Sequence, residues 1–485
     1  MLAPQDYPSF VQRDDGAHFL CPHDAGMHTP STHPPQVNWR THLSLALLAL
    51  VYIFSFIDRQ VLSILMEPVK QEFGASDTEM GLLSGLAFGL LYAVLGIPVG
   101  RLADKYNRRN IITICCAIWS VATMACGFAT QYWHMLLARM SVAIGEAGGM
   151  APSISAVSDM YPPKMRSFAI SLFMMGPNLG TLLGLVLGGV IAEYFGWRAV
   201  FLFFGIPGVI LSLVVYAVVK EPVRGGFEEA QAPAAPAAPP ASAATAATGA
   251  AQTAARPESM FRQVRRLLAM KPLRNVCLAG GVAGIAGYGY GVWAPSFFIR
   301  THHMSIAEAG LVFGIASGFG AVFGAMFCGW LSDKLTQRDV RWQLGLAAIG
   351  TACAVPAGIA LFSWPASEFW MLGSIKIPHA MVFALLFGFF ASWFSTLSYS
   401  AISQMVQSSE RSVAAALLNL FMTLLGVGLG PLITGALSDH FTSIHGADGL
   451  RYALIAVVSL LSVTALLFAL SIQPYQQRLL HLQRA

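Results

Sequence analysis

Long apolar runs separated by short polar breaks set the rhythm of this chain. Runs of about twenty residues, each long enough to cross a hydrocarbon core of about 30 Å as a helix, recur twelve times, near 42–66, 79–101, 110–128, 132–158, 167–191, 198–220, 274–299, 307–331, 342–362, 377–403, 411–437 and 451–471. The pattern predicts an all-α integral membrane protein with twelve transmembrane helices. A polar, basic hinge, Gly100-Arg-Leu-Ala-Asp104-Lys-Tyr-Asn-Arg108-Arg109, separates the second run from the third. It has an echo 229 residues later, Gly329-Trp-Leu-Ser-Asp333-Lys, between the eighth and ninth.

The echo extends backwards. Ser76-x-x-Glu79-x-Gly81 recurs as Ser305-x-x-Glu308-x-Gly310 at the same offset of 229, so the whole apolar segment between the two matches is duplicated. Ser155-Ala-Val-Ser-Asp159-Met with Arg166-Ser167 aligns on Ser400-Ala-Ile-Ser-Gln404-Met with Arg411-Ser412 at an offset of 245. The increase of 16 falls in the longer loop around Trp364 to Lys376, where an insertion is tolerated. The chain therefore divides into an N-tail (1–40), a six-helix bundle (41–222), a linker (223–273), a second six-helix bundle (274–473) and a C-tail (474–485), the two bundles being pseudo-symmetric.

Composition agrees with a lipid solvent. Hydrophobic residues make up 55% of the chain and charged ones 11%, against about 25% charged in a soluble domain, and mean hydropathy is +0.61. The net charge of +5 would suit an anionic partner, but the basic residues are distributed as an orientation signal rather than as a nucleic-acid surface. If the N-terminus is cytoplasmic, 22 of the 29 Lys and Arg lie on that side, five on the other and two inside spans. That places both termini and the hinge in the cytoplasm, with a bacterial inner membrane as the setting.

The tail and linker say less. Residues 1–40 contain no continuous apolar segment of the signal-peptide kind. The four histidines there, His18, His23, His28 and His33, form no recognisable ligand set with the rest of the tail, so a disordered tail is favoured over a metal site. Gly225 to Glu258 is Ala/Pro/Thr-rich and reads as a flexible linker. The basic stretch Phe261-Arg-Gln-Val-Arg-Arg-Leu-Leu268 after it is expected to form a short amphipathic helix on the anionic inner leaflet. No cysteine pair has metal-ligand spacing, and no metal or other cofactor is expected.

Candidate chemistry rests on four charges inside spans, Asp58 and Arg59 in span 1, Arg139 and Glu146 in span 4. A charge at mid-membrane costs about 2.5–3.5 kcal/mol, so each must face a cavity or a partner. Arg139 and Glu146 are seven residues apart, hence on one helix face but about two turns apart, too far to pair. Asp58 is expected to be paired by Arg139 or Arg59, and Glu146, with no cation one turn away on its own helix, to be the shielded carboxylate that carries a proton. A static buried network of all four is the competing reading.

Spans 7 to 12 have no comparable charge and contribute shape. Tyr288, Tyr290 and Trp293 of span 7, and Trp393, Ser395, Ser398 and Tyr399 of span 10, are candidates for the wall of a substrate cavity; for the span 7 aromatics, interfacial belt residues are the plain alternative. Asn419 of span 11 reads as a lone buried amide. An enzyme is excluded: there is no nucleophile elbow, no phosphate loop, no paired histidines in a span and no extramembrane domain large enough for chemistry.

With these residues in view, the chain resembles the major facilitator superfamily from about 41 to 475. The likeness is carried by the 6+6 layout, the Gly-x-Leu-Ala-Asp-x-x-x-Arg-Arg hinge, Leu137-Ala-Arg139 through Gly145, and Gly176-Pro177…Gly180…Gly184…Gly188-Gly189. Phe56-Ile-Asp58-Arg59, Tyr106-Asn107-Arg108-Arg109, Gly145-Glu146-Ala147 and Tyr161-Pro162-Pro163 with Arg166 are similar to the Spinster-type branch. The resemblance implies alternating access, membrane carboxylates as proton-sensitive groups, lipid-like or amphiphilic substrates and, from the Gly-Pro pattern of span 5, exchange rather than symport. The expected function is proton-coupled or facilitative outward movement of an amphiphilic organic molecule by a monomer in contact with membrane lipid. Uptake of a small organic acid, with Arg59 or Arg139 holding the carboxylate, and a non-transporting receptor are the alternatives. The hinge is expected to be a cytoplasmic gate built from Gly100, Asp104, Arg108 and Arg109, with Asp159, Arg166, Asp333 and Arg411 as partners or repeat counterparts. In it, Asp104 would receive the dipole of span 11 or pair with Arg166, and Arg108 would pair with Asp159.

Overall fold

A computed structural model describes residues 37–225, 227, 260–407 and 410–484. Most of the N-tail and most of the Ala/Pro/Thr linker lie outside these residues, so the expectations made for them do too. Among the described residues there are twelve helical passes: Trp39–Phe73, Asp77–Lys105, Arg108–Gly127, Tyr132–Glu146 continued by Met150–Met160, Pro163–Phe195, Trp197–Val218, Lys271–His302, Ile306–Thr336, Trp342–Ser363, Met381–Met405, Arg411–Phe421 continued to His445, and Gly449–Ser459 continued to Arg484. They are numbered spans 1 to 12 and form two six-helix halves. The loops after spans 2, 4, 8 and 10 lie at the same end of the bundle as the termini, called here the near end; the loops after the odd spans lie at the far end.

The duplicated Ser-x-x-Glu motif turns out to be a helix start. Ser76 Oγ accepts from Glu79 N at 3.1 Å while Ser76 N donates to Glu79 Oε2 at 2.7 Å, and Ser305 with Glu308 repeats this at 3.2 and 3.0 Å. These reciprocal caps open spans 2 and 8 at the far end.

Spans 2 and 11 cross at mid-height, and both widen there into a π turn, Leu82–Leu86 and Met422–Leu429. The approach is backbone on backbone: a Cβ on Gly89 would come within 2.9 Å of Gly428 Cα, and one on Gly81 within 2.4 Å of the Pro431 carbonyl oxygen.

The predicted basic helix exists as Met260–Ala269, but its apolar side does not lie on lipid. Leu267 is fully buried and packs with Leu273 and Val276 of span 7 into the second half, while Arg266 pairs with Glu410 at the start of span 11. A ready apolar groove between spans 7 and 11 outcompetes the membrane surface for this face. The insertion between spans 9 and 10 forms a β-hairpin, Phe369–Leu372 paired with Ile375–Pro378.

Candidate functional site

The in-span charges of the first half meet, in pairs other than those anticipated. Arg59 and Ser55 are four residues apart on span 1 and so share a face. Both reach span 4: Arg59 Nε donates to Glu146 Oε2 at 2.5 Å and Ser55 Oγ to the same oxygen at 3.0 Å. The Glu146 side chain is fully buried, while 20% of Arg59's stays exposed. Glu146 Oε1 has no hydrogen-bond partner among the described residues. The Arg59 guanidinium lies over three rings, Tyr92 at 4.5 Å, Phe56 at 4.8 Å and Phe88 at 5.1 Å. These faces support a delocalised cation where water is scarce. Glu146 is thus not cation-free, as its own helix suggested; its cation comes from span 1.

Asp58 points the other way, against span 3. Its Oδ2 accepts from Thr123 Oγ1 at 3.0 Å, and Oδ1 is unpartnered among the described residues. Arg139 does not reach this carboxylate as expected: its Nη1 donates to the backbone carbonyl of Asp58 at 3.0 Å. Consecutive residues on a helix diverge by about 100°, so Asp58 and Arg59 cannot both turn to span 4. The two carboxylates therefore lie against different faces of span 1, and the Glu146 face opens onto a crevice. That crevice, about 10 Å³ and big enough for roughly one water, is lined by Tyr52, Ser55, Arg59, Tyr92, Trp119 and Glu146, among others.

On the second half, Tyr288 and Tyr399 are exposed. Three neighbours expected to line a cavity do not. Tyr290 lies inside the second half with ring centroids 4.4 Å from Phe387 and 5.4 Å from Phe313. Trp293 is fully buried and its indole N–H donates to Pro431 O at 2.9 Å. Trp393 is wedged among Phe327, Phe389 and Phe390. The reason is helical phase: residues 288 and 290 are about 200° apart around the axis, so one faces the other half and the other its own core. Asn419 is exposed rather than buried.

The hinge does not join the halves. Buried Arg108 donates to Asp159 Oδ2 at 2.5 Å, Ser155 Oγ at 2.8 Å, Glu221 Oε1 at 2.8 Å and the Pro222 carbonyl at 3.0 Å. The pairing with Asp159 forms, but all these residues belong to span 3, span 4 and the segment just after span 6, within the first half, so it fastens that half's near end instead of gating. Arg109 N donates to Glu221 Oε2 at 2.9 Å. Asp104 is exposed; its backbone carbonyl, with those of Ala103 and Tyr106, caps the Arg224 guanidinium. Gly100 has open space around it, Arg166 is partly buried, and Asp333 and Arg411 are exposed, with Arg411 Nε donating to Ser403 O at 3.1 Å.

Beyond the packing of spans 2 and 11, the ion pairs that join the halves among the described residues lie at the far end, in residues that no sequence motif marks. Arg300 of span 7 donates to both oxygens of Asp77 at 2.8 Å and to Glu67 Oε2 at 2.6 Å, and Lys70 and Ser438 add bonds of 2.6 Å to Asp77. Asp439 of span 11 accepts from Asp77 N at 3.0 Å and Thr78 N at 2.7 Å, capping span 2 from the opposite half. Glu193 of span 5 does the same for span 8, accepting from Ile306 N at 3.1 Å and Ala307 N at 3.4 Å. Residues 77 and 78 map on 306 and 307 by the repeat offset of 229, so the two cross-caps are related by the internal symmetry. A signal was available: the far end has only five basic residues, and two of them, Lys70 and Arg300, belong to this cluster.

Comparison with known proteins adds to this geometry. A family model described as Major Facilitator Superfamily matches residues 48–377. An MFS-type efflux pump of Mycolicibacterium smegmatis is 30% identical over 88% of this chain and 90% of its own. A probable galactarate/D-glucarate transporter of Bacillus subtilis is 24% identical over 86% and 90%. Among solved structures, a bacterial homologue of the human lysosomal transporter Spinster, in an inward-facing and unoccupied conformation, superposes with a TM-score of 0.76. It is 28% identical, and the match covers 91% of this chain and 99% of that one.

Proposed function

The chain belongs to the Major Facilitator Superfamily, and within it we propose a proton-coupled secondary transporter that moves an amphiphilic organic molecule by alternating access. The observation that carries the reading is the Glu146–Arg59 pair: a buried carboxylate with one oxygen held and the other unpartnered, beside a crevice, facing a cation seated on three aromatic faces. A proton arriving at Glu146 Oε1 removes the charge that holds Arg59. The guanidinium then offers its donors to a polar or anionic head group, while Tyr92, Tyr288 and Tyr399 supply surface for an apolar body. Substrate and proton thus compete for one pair, which suits exchange. The near end, rich in Lys and Arg, is assigned to the cytoplasm. A closed far end suits an inward-facing state, the one named for the solved relative. The efflux pump among the relatives supports outward movement, and a monomer in a bacterial inner membrane suffices.

The test is proteoliposome flux of a lysophospholipid under an imposed pH gradient, wild type against Glu146→Gln. The gradient should drive the wild type only. Gradient-driven flux persisting in Glu146→Gln would remove this residue from coupling.

Uptake of a small organic acid is a second reading, favoured by the galactarate/D-glucarate relative and by the single part-exposed cation at the crevice, Arg59. Saturable, acid-stimulated galactarate uptake, unaffected by lysophospholipid, would select it. Saturable flux of either kind excludes a non-transporting receptor.

A further inference from the structure

The hairpin between spans 9 and 10 has no counterpart in the first half and no part in the transport reading above. Its strands pair from Phe369 with Pro378 to Leu372 with Ile375, and the turn between them begins at Gly373, whose φ of 63° a two-residue hairpin turn requires. Two strands alone are not stable in water, so what each touches decides what the hairpin is for.

One strand is anchored. Lys376 N donates to Glu308 Oε1 at 3.2 Å and Lys376 Nζ to the His302 carbonyl at 3.2 Å, while Ile375 and Ile377 pack on the core of the second half. The other strand stands free. Phe369, Trp370, Met371 and Leu372 are 40%, 50%, 59% and 67% exposed. Successive strand residues point to opposite faces, so both faces are uncovered. Four large apolar residues in a row would be an aggregation liability in water. At the rim of a bilayer they are an anchor.

Position favours the bilayer. The hairpin follows Ser363, the last residue of span 9, and precedes Met381, the first of span 10, a span that opens with the exposed apolar residues Val382, Leu385 and Leu386. The Trp370 and His379 rings meet with centroids 4.1 Å apart at a tilt of 45°, presenting an aromatic with a polar edge, the kind that settles at lipid head-group level.

We propose that this hairpin lies in the lipid–water interface at the far end of the bundle, with Trp370, Met371 and Leu372 inserted among head groups and upper acyl chains. Its anchored strand ties that leaflet to the joint between spans 7 and 8. This joint carries Arg300 on one side and the amides held by Glu193 on the other, so tension on the hairpin is delivered to the far-end closure.

The test uses the full chain in phosphatidylcholine vesicles whose acyl chains carry bromine near the head group. Subtracting the emission of Trp370→Phe from that of the wild type isolates Trp370. Brominated lipid should quench this share by about twofold or more, as for an interfacial indole. No quenching by bromine overturns the proposal; if aqueous iodide quenches instead, the strand stands in water for a soluble partner, and if neither does, a second copy covers it. A second variant guards against misfolding. Met371→Glu with Leu372→Glu should melt with the wild type in detergent, because both side chains are mostly exposed, yet lose bromine quenching of Trp370 in vesicles. Retained quenching would equally overturn the insertion.

Discussion

Arg300 and Asp77 face each other across the two halves through two hydrogen bonds of 2.8 Å, Nη1 to Oδ2 and Nη2 to Oδ1. The paired geometry is the strongest form of a charged contact, and Asp77's side chain is 2% exposed against 19% for Arg300. Removing one partner of a buried pair costs about 3–5 kcal/mol, and the partial exposure of Arg300 puts this case at the lower end. Asp77→Asn should therefore open the far end. Spin labels at Gln71 and Ile444, exposed positions near the ends of spans 1 and 11, should move apart in a double electron–electron resonance measurement. An unchanged distance distribution would show that the cluster does not hold the closure.

Asp439 and Glu193 each accept two backbone N–H groups of a helix start in the other half. A capping side chain contributes about 1 kcal/mol, and a negative charge at a helix N-terminus about 0.3–1 kcal/mol more. Asp439→Asn and Glu193→Gln should each shift the same spin-label distribution modestly towards open. They touch different helix pairs and share no partner, so their free-energy effects should add. A double variant no more open than either single one would mean that one cap alone carries the closure.

Twelve spans, two halves and the duplication were legible because each is a property of sequence along one axis: run length, apolar content and recurrence at fixed offset. The hinge motif was legible as a motif but not as a contact. Arg108 does bond Asp159, yet whether that bond crosses the halves depends on where Met150–Met160 packs, which spacing cannot state. The same holds for Glu146. Its own helix offers no cation, and only the packing of span 1 on span 4 supplies Arg59. Tyr288 and Tyr290 were read together because both are aromatic, and helical phase separates them. The far-end acids escaped notice because charges at span ends are ordinarily solvated.

Arg108 joins two carboxylates, a hydroxyl and a carbonyl while keeping only 2% of its side chain exposed. Arg108→Gln leaves Asp159 and Glu221 facing each other without their cation, a loss of about 3 kcal/mol or more. For a helical membrane bundle this should read as a lower melting temperature in detergent and reduced yield. Because the cluster lies within one half, the Gln71–Ile444 distances should not change. A shift in those distances with unaltered melting would return Arg108 to the role of a gate.

Arg59→Lys separates charge from geometry at the central pair. Lysine keeps the positive charge, so Glu146 is not left uncompensated in the membrane, and the variant should fold and melt near the wild type. What it cannot reproduce is a planar guanidinium that spans three aromatic faces while its Nε donates to Glu146 at 2.5 Å. A hydrogen bond to a charged group contributes about 1.5–3 kcal/mol, or roughly one to two factors of ten. Gradient-driven lysophospholipid flux in proteoliposomes should fall about tenfold or more. If flux and its pH dependence match the wild type, only a counter-charge is required at this position, and the pair is a structural bolt between spans 1 and 4 rather than the switch.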